Sequence, residues 1–405
     1  LTPLAVITFS KVLAPLTGSL FGLLGRMASR DMAAQLSRTT IAIAALAIAV
    51  AATIGVGSMV NSFRSTVVHW LETRLQADVY VSPPSLVSRR NDALLEEDLL
   101  QKLRSLPGTE DYNFYRENQI QSGDSIIHLI AARLTQKSRD GYRFKEGSPE
   151  EIWPAVLSGE AVIISEPYSF RHNLRVGSIV RIPSNTGEIS MPVAGVYYDY
   201  GSDMGLVSIA FSKYKQHWSD LRPSGISLVA KDGVSADELI EQARAVIPVG
   251  QEVLLRSNRY LRTMSIEIFD RTFSVINVLH LLAIVVAFIG ILSALMSLQL
   301  ERVRELGILR ANGITPKQIQ RLITLQTGLM GLIAGILAIP LGNVLALVLI
   351  YIVNQRSFGW TLQFEFLPMV LLQAMGVALV AAILAGIYPA IKMSRSSPAL
   401  ALREE

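Results

Sequence analysis

Leu300-Glu301-Arg302-Val303-Arg304-Glu305-Leu306-Gly307-Ile308-Leu309-Arg310-Ala311-Asn312-Gly313 is a charged, helix-forming stretch set between two long apolar runs. From Arg302 to Arg321 the chain carries five cations, Arg302, Arg304, Arg310, Lys317 and Arg321. It is the most basic of the short connections between apolar runs. Short loops rich in Lys and Arg stay in the cytoplasm. The segment therefore reads as a handle that something cytoplasmic grips.

Working outward, residues 39–63, 272–300, 322–355 and 366–391 hold no Asp, Glu, Lys or Arg, and His280 is their one histidine. Each run exceeds the roughly 20 residues a helix needs to cross a bilayer. Four spans are expected, at 39–60, 273–298, 322–353 and 367–390. Composition agrees, with 50% hydrophobic and 17% charged residues and a mean hydropathy of +0.38. That exceeds what a soluble globular chain needs.

The net charge of +4 conceals an asymmetry. Between Asn61 and Thr272 there are 24 Lys and Arg against 27 Asp and Glu, a net −3; the other 13 cations and 6 anions give +7. A basic excess on one side of a membrane is a topology signal, and no nucleic-acid partner is expected. Arg26, Arg30 and Arg38 hold the start of the first span inside. Residues 61–272 then lie outside and residues 299–321 inside. Residues 354–366 form a short outer loop with Arg356, and the tail 391–405, with Lys392, Arg395 and Arg403, returns to the cytoplasm. Residues 1–38 show no signal-peptide pattern. They are expected to hold the end of a preceding span, a linker and an interfacial helix within a longer polypeptide.

The outer segment of about 210 residues is long enough for a core of its own. With no cysteine in the chain, disulfides, zinc ribbons and thiol catalysis are excluded. The segment reads as an α/β domain. Phe63–Ala77 continues the first span as an amphipathic helix, with Phe63, Val67, Trp70 or Leu71, and Leu75 on one side. Asp92–Leu106 is a second helix, stopped by Pro107-Gly108. Short runs at Ser125–Leu134, Ala161–Ser165, Ser178–Ile182, Met191–Val196 and Val207–Phe211 suggest a small β-rich subdomain. Ile226–Ala230, Ser235–Val246 and Glu252–Arg256 read strand, helix, strand, a βαβ-like unit. Ser257-Asn258 then starts a helix over Arg259–Asp270 that feeds the second span. Two helical stalks thus join the outer domain to the first and second spans.

The handle has a second half. Gly313 can adopt the left-handed conformation that ends a helix. Thr315-Pro316-Lys317-Gln318 suits a new start, with Thr315 as N-cap, Pro316 at the first position and Gln318 completing a capping box. Ile314 and Ile319 stand where a hydrophobic staple would close it. The expected shape is helix, glycine elbow, helix.

Chemical motifs are scarce. There is no GxxxxGK[ST] phosphate loop, so ATP is not held here in the P-loop manner. No cofactor, metal or catalytic residue is expected in this chain. Gly328, Gly331 and Gly335 line the third span, reading either as a seam that slides or dimerises or as ordinary small-residue packing. The histidines His69, His128, His172, His217 and His280 lack metal-ligand spacing, and His280 reads as neutral and bonded to a neighbouring helix. Ser165-Glu166, Asp199 and Asp203 raise hydrolysis or calcium binding, but without a GxSxG elbow or EF-hand loop they read as turn chemistry. Spans without charge also argue against an ion-coupled transporter.

The stretch Glu301–Gly313 resembles the cytoplasmic coupling segment of FtsX-like, MacB-type ABC transporter permeases. The tail Tyr388-Pro389-Ala390 through Ser397-Pro398-Ala399-Leu400-Ala401-Leu402-Arg403-Glu404 is similar to that family's ending. Val193–Ser202 and Leu157-Ser158-Gly159-Glu160 resemble the outer domain of duplicated members, in which two such modules form one polypeptide. The resemblance implies a four-span helical membrane module with a large α/β domain inserted between spans 1 and 2, here the second module of a duplicated permease. It implies mechanotransmission from a separate cytoplasmic ATPase dimer, which binds ATP and Mg. It also implies that Glu301, Arg302, Arg304, Glu305, Leu306, Gly307, Arg310 and Gly313 form the coupling site. Further implied partners are a second FtsX-like module, membrane lipid, and a periplasmic adaptor, hydrolase or lipoprotein.

Two function classes follow. In one, the outer domain extracts or exports a hydrophobic compound, lipid or lipoprotein. In the other, it signals mechanically to an outer partner such as a hydrolase and moves nothing.

Overall fold

The computed structural model describes residues 2–34, 36–84, 94–122, 125–248, 251–301, 308–366 and 368–394. Among these, the order of elements is α1 (Thr2–Ala34), α2 (Leu36–Arg74), β1 (Val79–Ser82), α3 (Glu97–Arg104), β2 (Thr109–Ser122), β3 (Ser125–Arg133), α4 (Gln136–Asp140), β4 (Phe144–Glu146), α5 (Pro149–Leu157), β5 (Val162–Ser165), α6 (Glu166–His172), β6 (Ile179–Ser184), β7 (Gly187–Tyr197), β8 (Val207–Ala210), α7 (Phe211–His217), β9 (Gly225–Ala230), α8 (Ala236–Val246), β10 (Leu254–Ser257), α9 (Asn258–Glu301), α10 (Pro316–Val348), which runs on through a π-helical stretch (Leu349–Asn354) and a last helical turn (Gln355–Phe358), and α11 (Pro368–Ser394). The chain divides into two compact units. One comprises Leu1–Ser62, Arg271–Ile352 and Gln363–Glu405, the other Phe63–Asp270 and Val353–Leu362.

The first unit is helical. Val6–Met32, Thr39–Arg74, Pro316–Phe358 and Pro368–Ile391 are long and apolar enough to cross a membrane. Three of them contain the spans expected at 39–60, 322–353 and 367–390. The span expected at 273–298 lies on α9, a helix of 44 residues. Its core joins Ile43, Val50 and Ile54 of α2 to Ile333, Ala334 and Ala338 of α10 and to Ala374, Ala378 and Ala382 of α11. The alanines let α10 and α11 approach closely where no hydrophobic effect drives them together. Within residues 1–38, expected to hold the end of a preceding span, a linker and an interfacial helix, α1 is helical on both sides of Gly22. It turns sharply at Gly22 (φ 62°, ψ −138°). The Thr17 hydroxyl then donates to the Gly25 carbonyl at 3.1 Å, a pairing that a straight helix forbids.

The second unit is built on one sheet with strand order β10-β1-β9-β2-β3-β8-β5-β7-β4, and β6 pairs with β7. The expected β-rich subdomain is therefore continuous with the rest of the sheet. The βαβ-like reading takes a split form: β9 and β10 both run antiparallel to β1, which lies between them, so they are parallel to each other and α8 is their crossover. Helices α3 and α8 cover this half, burying Leu99, Leu103, Leu239 and Ala243 against Val79, Val81, Ile226 and Leu228. Ser235 caps α8 by accepting from the Glu238 N–H at 3.1 Å. Across the other half a second core gathers Leu129, Val162, Ile164, Val193, Val207 and Tyr214.

Candidate functional site

The elbow takes its shape from two motifs. Gly313 has φ 93°. Its N–H donates to the Arg310 carbonyl at 3.0 Å, and the Ile314 N–H reaches the Leu309 carbonyl at 3.1 Å. These are the paired bonds of a Schellman stop, which requires a left-handed residue between them. The capping box follows: the Thr315 N–H donates to Gln318 Oε1 at 2.8 Å, and the Gln318 N–H donates to Thr315 Oγ1 at 3.4 Å. Leu309 and Ile314 pack on Ile319, Ile323 and Ala390. The turn is thus fixed by hydrogen bonds on both sides and an apolar plug beneath. Arg310 and Gly313 share it. Arg302, Arg304, Glu305, Leu306 and Gly307 lie outside the described residues, and Glu301 is the last residue of α9.

On α10 the three glycines differ. A Cβ built on Gly331 would stand 2.6 Å from Ala382 Cβ and 3.0 Å from the Ala378 carbonyl oxygen. On Gly335 it would meet Met375 Cγ at 3.2 Å, and on Gly328 it would reach Ile383 Cγ1 only at 3.8 Å. Gly331 is where α10 and α11 touch backbone to backbone.

Stalks α2 and α9 are continuous helices, and the unit boundaries at Ser62 and Asp270 fall inside them. Within the second unit they are cross-tied. Phe63 and Phe269 meet edge to face with centroids 5.0 Å apart, Arg64 pairs with Asp270 at 2.7 Å, and Arg262 pairs with Glu72 at 3.7 Å. Ser257 caps α9 by accepting from the Tyr260 N–H at 3.2 Å. Asn258 ties the helix start to the end of α2, its Nδ2 donating to the carbonyls of Leu75 and Ala77.

Helix α2 ends at Arg74, three residues short of the expected Ala77, inside an aromatic and acidic socket. The guanidinium lies 3.7 Å from the centre of the Tyr142 ring and 5.7 Å from that of Tyr197. Asp199 is buried beside it. Burial pushes the Asp199 carboxyl above the usual range, while Arg74 and the backbone N–H groups of Gly201 and Ser202 pull it back. The acceptor role toward those N–H groups matches the expected turn chemistry. Its burial beside a stalk cation was not foreseen. Trp70 adds an edge-to-face contact with Tyr200, centroids 6.0 Å apart.

Ser165 is also structural: its Oγ accepts from the Leu206 N–H at 2.8 Å and ties β5 to the segment before β8. His217 pairs with Thr186 at 2.8 Å, and His172 lies against the Tyr168 ring. Among the described residues, no group of three or more His, Asp or Glu is placed to hold a metal ion. Sequence reading missed Arg74 and Asn258 as anchors; a cation at the end of an apolar helix was the available hint for Arg74.

These features define a multi-pass protein of the plasma membrane whose large α/β domain lies outside, between the spans of α2 and α9. Residues 39–246 match the MacB-like periplasmic core domain, and residues 277–398 match the FtsX-like permease C-terminal region. The chain belongs to the FtsX-like, MacB-type family of ABC transporter permeases. An uncharacterized ABC transporter permease of Mycobacterium tuberculosis is 41% identical over 397 residues, covering 97% of this chain and 46% of that protein. The chain thus spans about half the length of that relative. The lipoprotein-releasing system transmembrane protein LolC of Haemophilus influenzae is 30% identical over 127 residues, 31% of this chain and 32% of LolC. Among solved structures, the periplasmic region of MacB from Actinobacillus actinomycetemcomitans aligns with 13% identity and a TM-score of 0.34, covering 48% of this chain and 94% of that one.

Proposed function

We propose that this chain converts the ATP-driven motion of a separate cytoplasmic ATPase dimer into work by its outer domain. The ATPase holds ATP and Mg and seats residues 299–321, and the stroke passes along α2 and α9. A second FtsX-like module stands beside this one, in the same polypeptide or as a second copy. The work is extraction or export of a hydrophobic compound, lipid or lipoprotein. One observation carries the reading: both stalks are unbroken helices, α2 over 39 residues and α9 over 44. An uninterrupted helix is stiff, whereas an interior Gly costs about 1 kcal/mol and an interior Pro about 3 kcal/mol with a kink. Kinship of part of the chain with a component of a lipoprotein-releasing system supports the substrate class.

The test uses the protein reconstituted with its ATPase in nanodiscs. A spin-label pair in the outer domain should change its distance distribution between nucleotide-free and ATP-trapped states. The Glu305→Ala/Arg310→Ala variant should assemble and hydrolyse ATP without that change. Survival of the change in the double variant overturns the role of the elbow. A wild type that never changes overturns mechanical transmission. Lipids and proteins co-purifying with the complex, identified by mass spectrometry, separate transport from signalling to an outer hydrolase.

A further inference from the structure

The connection from α10 to α11 reads in the sequence as a plain outer loop. Its residues Val353–Leu362 nevertheless pack as part of the second unit, together with Phe63–Asp270. The anchor is Glu166, the first residue of α6, whose side chain is 2% exposed. Its Oε1 accepts from Lys145 Nζ at 2.6 Å and from Thr361 Oγ1 at 2.7 Å, and its Oε2 accepts from the Thr361 N–H at 2.9 Å. On the other side of the same residue, the Tyr200 hydroxyl donates to the Thr361 carbonyl at 2.9 Å. Both backbone polar groups of Thr361 are therefore held by side chains of the outer domain.

The rest of the segment is fixed as firmly. Asn354 Nδ2 donates to the Trp360 carbonyl at 3.0 Å, closing the loop on itself. Gly359 has φ 80°, and a Cβ there would stand 3.0 Å from Pro167 Cα, so the loop backbone lies directly on the start of α6. The Trp360 ring has Tyr200 at 5.9 Å, Phe358 at 5.2 Å and Phe63 of α2 at 6.1 Å, centroid to centroid. A connection that merely joins two spans needs none of this. Charge-assisted bonds to a buried carboxylate are short and strong, and losing one partner leaves an uncompensated charge inside the protein. Such a contact resists gradual stretching.

We propose that residues 353–362 form a third mechanical tie beside the two stalks. The tie carries displacement of α10 and α11 into the half of the outer domain built on β5, β7 and β8, and Glu166 is its positioning residue. The inference rests on the mechanical reading above. Stalk α9 anchors at Asn258, directly after β10 at one end of the sheet, whereas the tie enters at α6, on the β5 and β7 half where Arg74 of α2 also sits. The outer domain therefore receives the stroke at two places along its sheet, so its halves can be moved against each other rather than tilted as one block.

The absence of cysteine makes the test direct. Full-length protein with its ATPase, in nanodiscs, carries spin labels either at Leu157 and Glu241, which report the two halves of the outer domain, or at Leu157 and Ser357, which report the tie. In the wild type, ATP trapping should shift the Leu157–Glu241 distance and leave the Leu157–Ser357 distance narrow and unchanged. Glu166→Ala should broaden the second distribution and abolish the shift in the first. Glu166→Gln, which keeps the shape and a carbonyl acceptor, should restore both. Should Glu166→Ala fail to fold, Tyr200→Phe removes one hydroxyl from the clamp and should reduce the shift in the same direction. A full Leu157–Glu241 shift in folded variants with a broadened tie overturns the tie and leaves transmission through the stalks standing. A wild type in which neither pair nor any stalk label responds to ATP overturns the tie together with the mechanical reading.

Discussion

Arg64 and Asp270 face each other as a fork, with Arg64 Nε 2.7 Å from Asp270 Oδ1 and Nη2 3.1 Å from Oδ2. One residue comes from α2 and the other from α9. The fork therefore fixes the lateral register of the two stalks, with Phe63 and Phe269 packed edge to face beside it. Both side chains are about half exposed. Exposed pairs contribute little to stability, so the value of this one is geometric.

The pair predicts an acid response. Hydrogen bonding from Arg64, together with its charge, holds the Asp270 carboxyl below the usual range. The folded-state pKa is thus lower than the unfolded one, ordinarily about 3.9. The contribution is complete above that ordinary value and disappears as pH falls through the depressed one. Melting of wild type and Arg64→Gln, compared across pH, should show a small difference that is constant from neutrality to mild acid. It should vanish only in stronger acid and shrink in high salt. A difference that grows on acidification contradicts the assignment.

Packing at the α10–α11 contact predicts unequal glycines. Gly331→Ala places a methyl within 2.6 Å of Ala382 Cβ and 3.0 Å of a backbone oxygen, neither of which can yield without moving a helix. Overpacking of this kind costs about 1–3 kcal/mol. Gly328→Ala meets only an ordinary contact at 3.8 Å and gains helix propensity, so it should be neutral or slightly stabilising. Thermal aggregation of the detergent-solubilised variants should rank Gly331→Ala well below wild type and Gly328→Ala level with it. Equal effects would remove Gly331 as the point of closest approach.

Much of this architecture was legible beforehand because its signals are local. Charge-free runs locate spans, and a Gly followed by Thr-Pro-x-Gln specifies an elbow whatever surrounds it. Strand β2 was missed because Thr109–Ser122 is largely polar, and only its pairing between β9 and β3 makes it a strand. The clamps were missed for a related reason. Glu166 and Thr361 are 195 residues apart, and Arg74 and Tyr142 are each unremarkable in their own stretch. Contacts of that sequence separation leave no periodic trace in one chain.

Topology gives a third prediction. The elbow belongs in the cytoplasm by its cations, and Gln318 is exposed on the first turn of α10. A single Cys at Gln318, introduced into a chain that has none, should resist an impermeant thiol reagent added to intact cells and react after permeabilisation. A Cys at Leu157 should show the reverse order. Labelling of the Gln318 site from outside would invert the orientation and place the ATPase contact on the wrong side of the membrane.

The last prediction concerns stiffness. Ser265 and Ile266 lie in α9 between its anchor at Asn258 and the boundary at Asp270, with no Gly or Pro nearby. Pro at Ile266 would remove one helical hydrogen bond and crowd the preceding turn, at a cost of about 3 kcal/mol and with a kink. Gly-Gly at 265–266 would lower the helix's resistance to bending without imposing a direction. Either change should leave insertion and ATPase assembly normal while the ATP-dependent distance change in the outer domain is lost. The Gly-Gly form is the sharper instrument, because it alters flexibility and little else. If the stalks are passive tethers, any linker of similar length will serve. A flexible replacement of residues 265–268 that keeps the full distance change would establish that, and would remove α9 as a route for the stroke.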